Sequence, residues 1–187
     1  IKMSGMKKKL LILAMMSTVL LSGCAGALKD GAEALESGDY ETAAASFQQA
    51  VSEKGDREDL AAAYQGLGMA DYELGSYADA LEAFESAVDN GAKQTVELYN
   101  LMGVSAMQTG DYEKGLDYIQ AGLALTDTGS DGESDDAGLI QEMEYNEIIC
   151  MERQADWESA KEKIAAYIEK YPDDEAAQKE AEFLETR

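Results

Sequence analysis

Apolar residues recur along this chain at helical spacing, and the pattern itself repeats. Small residues at Ala43, Ala80, Gly115 and Ala160 are each followed four positions on by a bulky apolar residue, Phe47, Phe84, Ile119 and Ile164. Three positions further stand Ala50, Ala87, Gly122 and Tyr167. Spacing of i, i+4 and i+7 lines one face of a helix, so each set predicts an amphipathic helix with its apolar face inward. Small residues on that face let a partner helix approach closely, and the bulky one fills the space between neighbours.

Just before each of these helices comes a short turn, Gly38-Asp39-Tyr40, Gly75-Ser76-Tyr77, Gly110-Asp111-Tyr112 and Ala155-Asp156-Trp157. Glycine just past a helix end enters the left-handed region without a Cβ penalty, so Gly38, Gly75 and Gly110 are expected to end a first helix. Asp39, Ser76, Asp111 and Asp156 are expected to cap the second, their side-chain oxygens accepting from backbone N–H groups. The unit is a helix-turn-helix, and successive turns lie 37, 35 and 45 residues apart. Such a period marks stacked units that cannot bury their apolar faces alone.

The pattern resembles that of tetratricopeptide-repeat proteins, W-x2-L-G-x2-Y, then A-x3-F, then P. Repeat two carries Tyr64, Leu67, Gly68, Tyr72 one place late, Tyr77, Ala80, Phe84 and Ala87; repeat three carries Tyr99, Met102, Gly103, Tyr112, Gly115 and Ile119. Outer repeats depart from it, with Gly31 alone in the first helix of repeat one and Ile148 in place of the glycine in repeat four. The resemblance implies an all-α fold, a right-handed α-solenoid of about four repeats (about 24–57, 61–94, 96–129 and 141–173) closed by a capping helix over 174–187. Ala177, Ala181 and Leu184 at i, i+4 and i+7 supply that last helix with an apolar face.

The first 23 residues read as a targeting segment. Lys7, Lys8 and Lys9 precede an apolar run from Leu10 to Leu21, which spans about 18 Å as a helix, short of the roughly 30 Å hydrocarbon core. Met6, immediately before the lysines, fits a translational start, as does Met3. Leu21-Ser22-Gly23-Cys24 resembles the lipobox of bacterial lipoproteins, which implies cleavage of 1–23, acylation of Cys24 and an extracytoplasmic, membrane-anchored domain over 24–187. Only Ala25, Gly26 and Ala27 then separate lipid from helix. With Cys24 acylated, Cys150 is left without a disulfide partner, and its neighbours Ile148, Ile149 and Met151 make it a small buried hydrophobe.

From Cys24 onward 38 acidic residues face 11 basic ones. That balance disfavours nucleic acid and anionic lipid headgroups and favours solubility or a basic partner. Residues 126–138, from Thr126 to Gly138, are acidic, rich in Gly and Ser and without bulky apolar side chains, which predicts a loop. Read as a calcium loop starting at Asp127, the segment places Asp131 and Gly132 correctly, but Gly129 and Gly138 stand where ligands are needed, so no metal site is assigned.

Histidine is absent, which removes Ser-His-Asp, Cys-His and H-E-x-x-H chemistry, and no phosphate-binding glycine loop is present. No enzyme and no cofactor are expected. The family resemblance instead implies a scaffold whose first helices line a groove for a peptide or partner helix. Carried across by position, that groove comprises Gln65, Met69, Tyr72 and Glu73 in repeat two, Asn100, Val104, Met107 and Gln108 in repeat three, and Tyr145, Ile149 and Glu152 in repeat four. Met and Tyr suit an apolar or amphipathic segment better than a carboxylate, since only Asn100, with Arg153 far along the array, matches the residues that clamp one. Packing of Met69, Tyr72, Val104 and Met107 inside the fold is the competing assignment. Self-assembly through the groove, and glycan stacking on Tyr72 and Tyr145, are the other function classes this sequence leaves open.

Overall fold

A computed structural model of the chain describes residues 25–127 and 137–187. Every element among the described residues is an α-helix. Residues 25–94 and 95–187 form two compact units. The first holds α1 (Ala25–Ser37), α2 (Tyr40–Ser52), α3 (Arg57–Glu73) and α4 (Tyr77–Asp89). The second holds α5 (Val96–Gln108), α6 (Tyr112–Asp127), α7 (Ala137–Arg153), α8 (Trp157–Lys170) and α9 (Glu175–Leu184).

The short turns form as their residue types dictate. Gly38, Gly75 and Gly110 take φ of 78°, 78° and 86°, and Ala155 takes 59° at the same place in repeat four, where alanine carries the strain that glycine avoids elsewhere. Asp39, Asp111 and Asp156 accept from the backbone N–H three residues on, at 3.1–3.2 Å. Ser76 makes no side-chain cap bond, contrary to the expectation, although Ser76 O accepts from Ala80 N at 2.9 Å.

In the first unit Phe47 and Phe84 are fully buried. Gly31 and Gly66 receive the Phe47 ring, and Gly68 receives that of Phe84; a Cβ at Gly68 would lie 2.6 Å from Phe84 Cδ1. Gly31 therefore does the same work in repeat one that Gly68 does in repeat two. Arg57 Nη2 donates to Asp89 O at 2.8 Å, tying the start of α3 to the end of α4.

In the second unit the two glycines of α6 gain their reason. A Cβ at Gly115 would stand 2.8 Å from Met107 Cγ, and one at Gly122 2.6 Å from Met143 Cε. Close approach of α5, α6 and α7 offsets the helix propensity lost at these glycines, about 1 kcal/mol each. Val96, Met107, Ile119, Leu139, Met143 and Cys150 form one core cluster. Ile148, Met151, Ala160, Ile164, Tyr167, Ala177 and Leu184 form another, in which α9 covers repeat four as expected of a capping helix. The expected loop lies mostly outside the described residues: α6 runs to Asp127 and α7 begins at Ala137.

Candidate partner-binding site

The first helices of the four repeats are α1, α3, α5 and α7, and the groove residues expected from the sequence lie on the last three. Burial divides them. Met69, Val104 and Met107 are 3%, 1% and 1% exposed, and Tyr72 is buried with its ring edge-on to Tyr77 at 5.4 Å. These four are packing residues, a correction to their placement on an open groove. The cause for Met107 is plain: it occupies the space above Gly115. Gln65 on α3 and Tyr145, Ile149 and Glu152 on α7 are half-buried, and Gln108 is exposed. Cys24 lies outside the described residues.

Asn100 is 4% exposed; its Nδ2 donates to Glu142 Oε1 at 3.5 Å, and its Oδ1 has no hydrogen-bond partner. Asn146, on the Glu142 face of α7 one turn along, is fully buried with neither amide atom partnered. Sequence reasoning passed over Asn146 because nothing in its spacing separates a buried amide from an exposed one. Buried polar groups are almost always hydrogen-bonded, so the two amides mark a place where bonding capacity is unspent.

Tyr145 stacks at a tilt on Tyr167, centroids 5.4 Å apart, and Tyr167 on Tyr171 at 4.7 Å. Tyr167 Oη accepts from Gln141 Nε2 and donates to Asp174 Oδ2, 3.1 and 3.0 Å away. Carboxylates surround this aromatic row. Burial first, then Glu180, Glu152 and Asp174, push the Tyr145 phenol up. Burial and the facing Glu180 push Glu152 up from 4.5 to about 7, against a smaller opposing pull from Arg153. One oxygen of Glu152, Oε1, is buried without a partner. The arrangement is an aromatic strip of Tyr145, Tyr167 and Tyr171 edged by the carboxylates of Glu152, Asp174 and Glu180. Such a surface can hold a basic or amphipathic side chain.

Cys150 is buried and its thiol is pushed up to about 12 by burial and by Glu147, so it is a packing residue rather than a nucleophile. No group of three or more Cys, Asp and Glu side chains among the described residues is placed to hold a metal ion.

Comparison with known proteins agrees with the geometry. A family model described as Tetratricopeptide repeat matches residues 28–95 and 65–130, and a second of the same description matches 145–174. No curated protein sequence matches the chain. Among solved structures, YrrB, described as a TPR protein with an unusual peptide-binding site, superposes with a TM-score of 0.68 at 18% identity, over 87% of this chain and 76% of that one. MamA from Desulfovibrio magneticus RS-1 superposes with a TM-score of 0.67 at 18% identity, over 90% and 87%. At that identity the likeness concerns the fold. Two matches that together run from residue 28 to 130, on helix pairs closed by the same glycine turns, place the chain in the tetratricopeptide-repeat family.

Proposed function

We propose that this chain is a non-catalytic scaffold, anchored to a bacterial membrane through acyl chains on Cys24, that binds a basic or amphipathic segment of a protein partner along its first helices. The observation that carries the reading is Glu152 on α7, half-buried with its Oε1 unpartnered and facing Glu180 beside Tyr145. A lysine or arginine entering there offsets the burial and the Glu180 repulsion that raise Glu152, while its aliphatic stem covers the tyrosine ring. The acidic excess of the whole chain draws such a segment in. YrrB, similar in fold, is described as having a peptide-binding site.

Capture from detergent-solubilised envelope on immobilised protein tests this, with a Glu152→Lys variant checked for retained helicity run beside it. Enrichment of one protein bearing a basic segment, lost in the variant, is the expected result. Equal capture by both forms removes the first-helix reading. For the anchor, the full chain is expected in the detergent phase on partitioning and its Cys24→Ala variant in the aqueous phase; a variant that stays in detergent removes the anchor.

A further inference from the structure

Little apolar surface holds α9 to repeat four. Of its ten residues Ala177 and Leu184 are buried, where they join Ile148, Met151 and Ile164 in one cluster. Polar ties stand at its two ends. Asp174 caps it and accepts from Tyr167 Oη at 3.0 Å, and Lys161 Nζ donates to Arg187 O at 3.0 Å. A helix this short is marginal in water by itself, so α9 stays helical by staying docked. Elements fixed by few buried contacts are the first to open.

Between those ends, α9 turns an acid toward an acid of α7. Glu152 on α7 and Glu180 on α9 are both half-buried, and their side chains are hydrogen-bonded to each other. Two carboxylates cannot form that bond, since each only accepts; one of the two must carry a proton. Glu152 Oε1 is buried without a partner, which a neutral carboxyl tolerates far better than an anion.

The surrounding charges favour the same state. Tyr145 on α7 and Asp174 at the start of α9 lie near the pair, and Arg153, beside Glu152, opposes them with its guanidinium 5.8 Å from the Tyr112 ring of α6. On α8, Lys163 and Lys170 are paired with Glu147 and Glu144. On α9 itself Lys179 is exposed, while Arg187 stands over Trp157 and Phe183. Burial first, then Glu180, raise the Glu152 carboxyl from 4.5 to about 7.

We infer that α9 is a proton-held cover, docked while Glu152 and Glu180 share a proton and released from α7 when that proton is lost, which bares Ile148 and Met151. Release needs no partner and no lipid anchor. Docking is at full strength below about pH 4.5, where Glu152 is protonated whether α9 is docked or free. It weakens as pH rises from there, because the free state gives up its proton first, and stays weakened above about 7. Screening at a half-buried pair leaves an expected weakening of about tenfold between pH 5 and 8.

Amide hydrogen exchange of the full chain tests this, with protection expressed against the unstructured rate at each pH. Amides of α9 are expected to lose protection about tenfold between pH 5 and 8, while those of α5 and α6 keep theirs. Glu152→Gln is expected to abolish the loss. Glu180→Gln, which removes the facing charge and can donate to Glu152, is expected to reduce it to about threefold or less. Glu182→Gln, an equal change of charge at an exposed position of α9, is expected to behave as wild type. Circular dichroism checks that each variant is folded, and should Glu152→Gln fail to fold, Glu180→Gln decides. No loss of protection in wild type, a loss shared by all helices, a loss undiminished in Glu180→Gln, or one that vanishes in Glu182→Gln overturns the inference.

Discussion

Replacing Glu152 by Gln is expected to stabilise the protein at pH 8 and to change little near pH 4. Glu152 sits on α7 with Oε1 buried and unpartnered, and faces Glu180 on α9. Its carboxyl is raised to about 7 from 4.5, first by burial and then by Glu180. A raised acid holds its proton more tightly in the folded chain than in the unfolded one. Stability is therefore unaffected by this group below about pH 4.5, falls as pH rises from there, and stays reduced above about 7. Each pH unit of displacement is worth about 1.4 kcal/mol, and screening at a partly accessible site brings the cost at pH 8 to about 1–2 kcal/mol. Glutamine removes the charge and can donate to Glu180. Urea denaturation of wild type and variant between pH 4.5 and 8.5 measures the difference, and hydrogen exchange of α9 amides reads it locally. A difference that is the same at both ends of the range, or a variant less stable at pH 8, refutes the reasoning.

Other expectations follow from packing and backbone. Gly68→Ala places a Cβ 2.6 Å from the Phe84 ring and is expected to lower stability by about 1–3 kcal/mol, read by denaturant unfolding. Ala155→Gly relieves a left-handed alanine, φ 59°, and is expected to raise stability by about 1 kcal/mol, seen as a higher Tm. Cys150, buried with its thiol pushed up to about 12, is expected to resist a thiol reagent at pH 8 and to react fully in urea; fast reaction of the folded protein contradicts its placement.

Much of this fold was legible in the chain. The helix-turn-helix unit, the glycines that end first helices and the capping helix all rest on local rules: backbone freedom, capping and 3.6-residue spacing act within a few residues of where they are written. Gly31 was harder, because its role depends on Phe47, sixteen residues away. The site was less legible. Tyr145 and Glu152 are half-buried, whereas Met69, Tyr72, Val104 and Met107 went inward. Spacing says which face of a helix a residue occupies and nothing of how closely the next helix covers that face. Such closeness is set by small residues elsewhere, as Gly115 sets it for Met107.

What the sequence determined by itself was the repeated unit, its class and the absence of histidine, since each follows from residue type and order. Only the tertiary structure decided which polar groups were left without partners. Glu152 meets Glu180, Asn146 meets no donor or acceptor, and Glu144 and Glu147 meet lysines, because helices far apart in the chain bring them together. Hydrogen bonds and charge interactions fall off within a few ångströms, and distances on that scale are fixed only when the helices have packed.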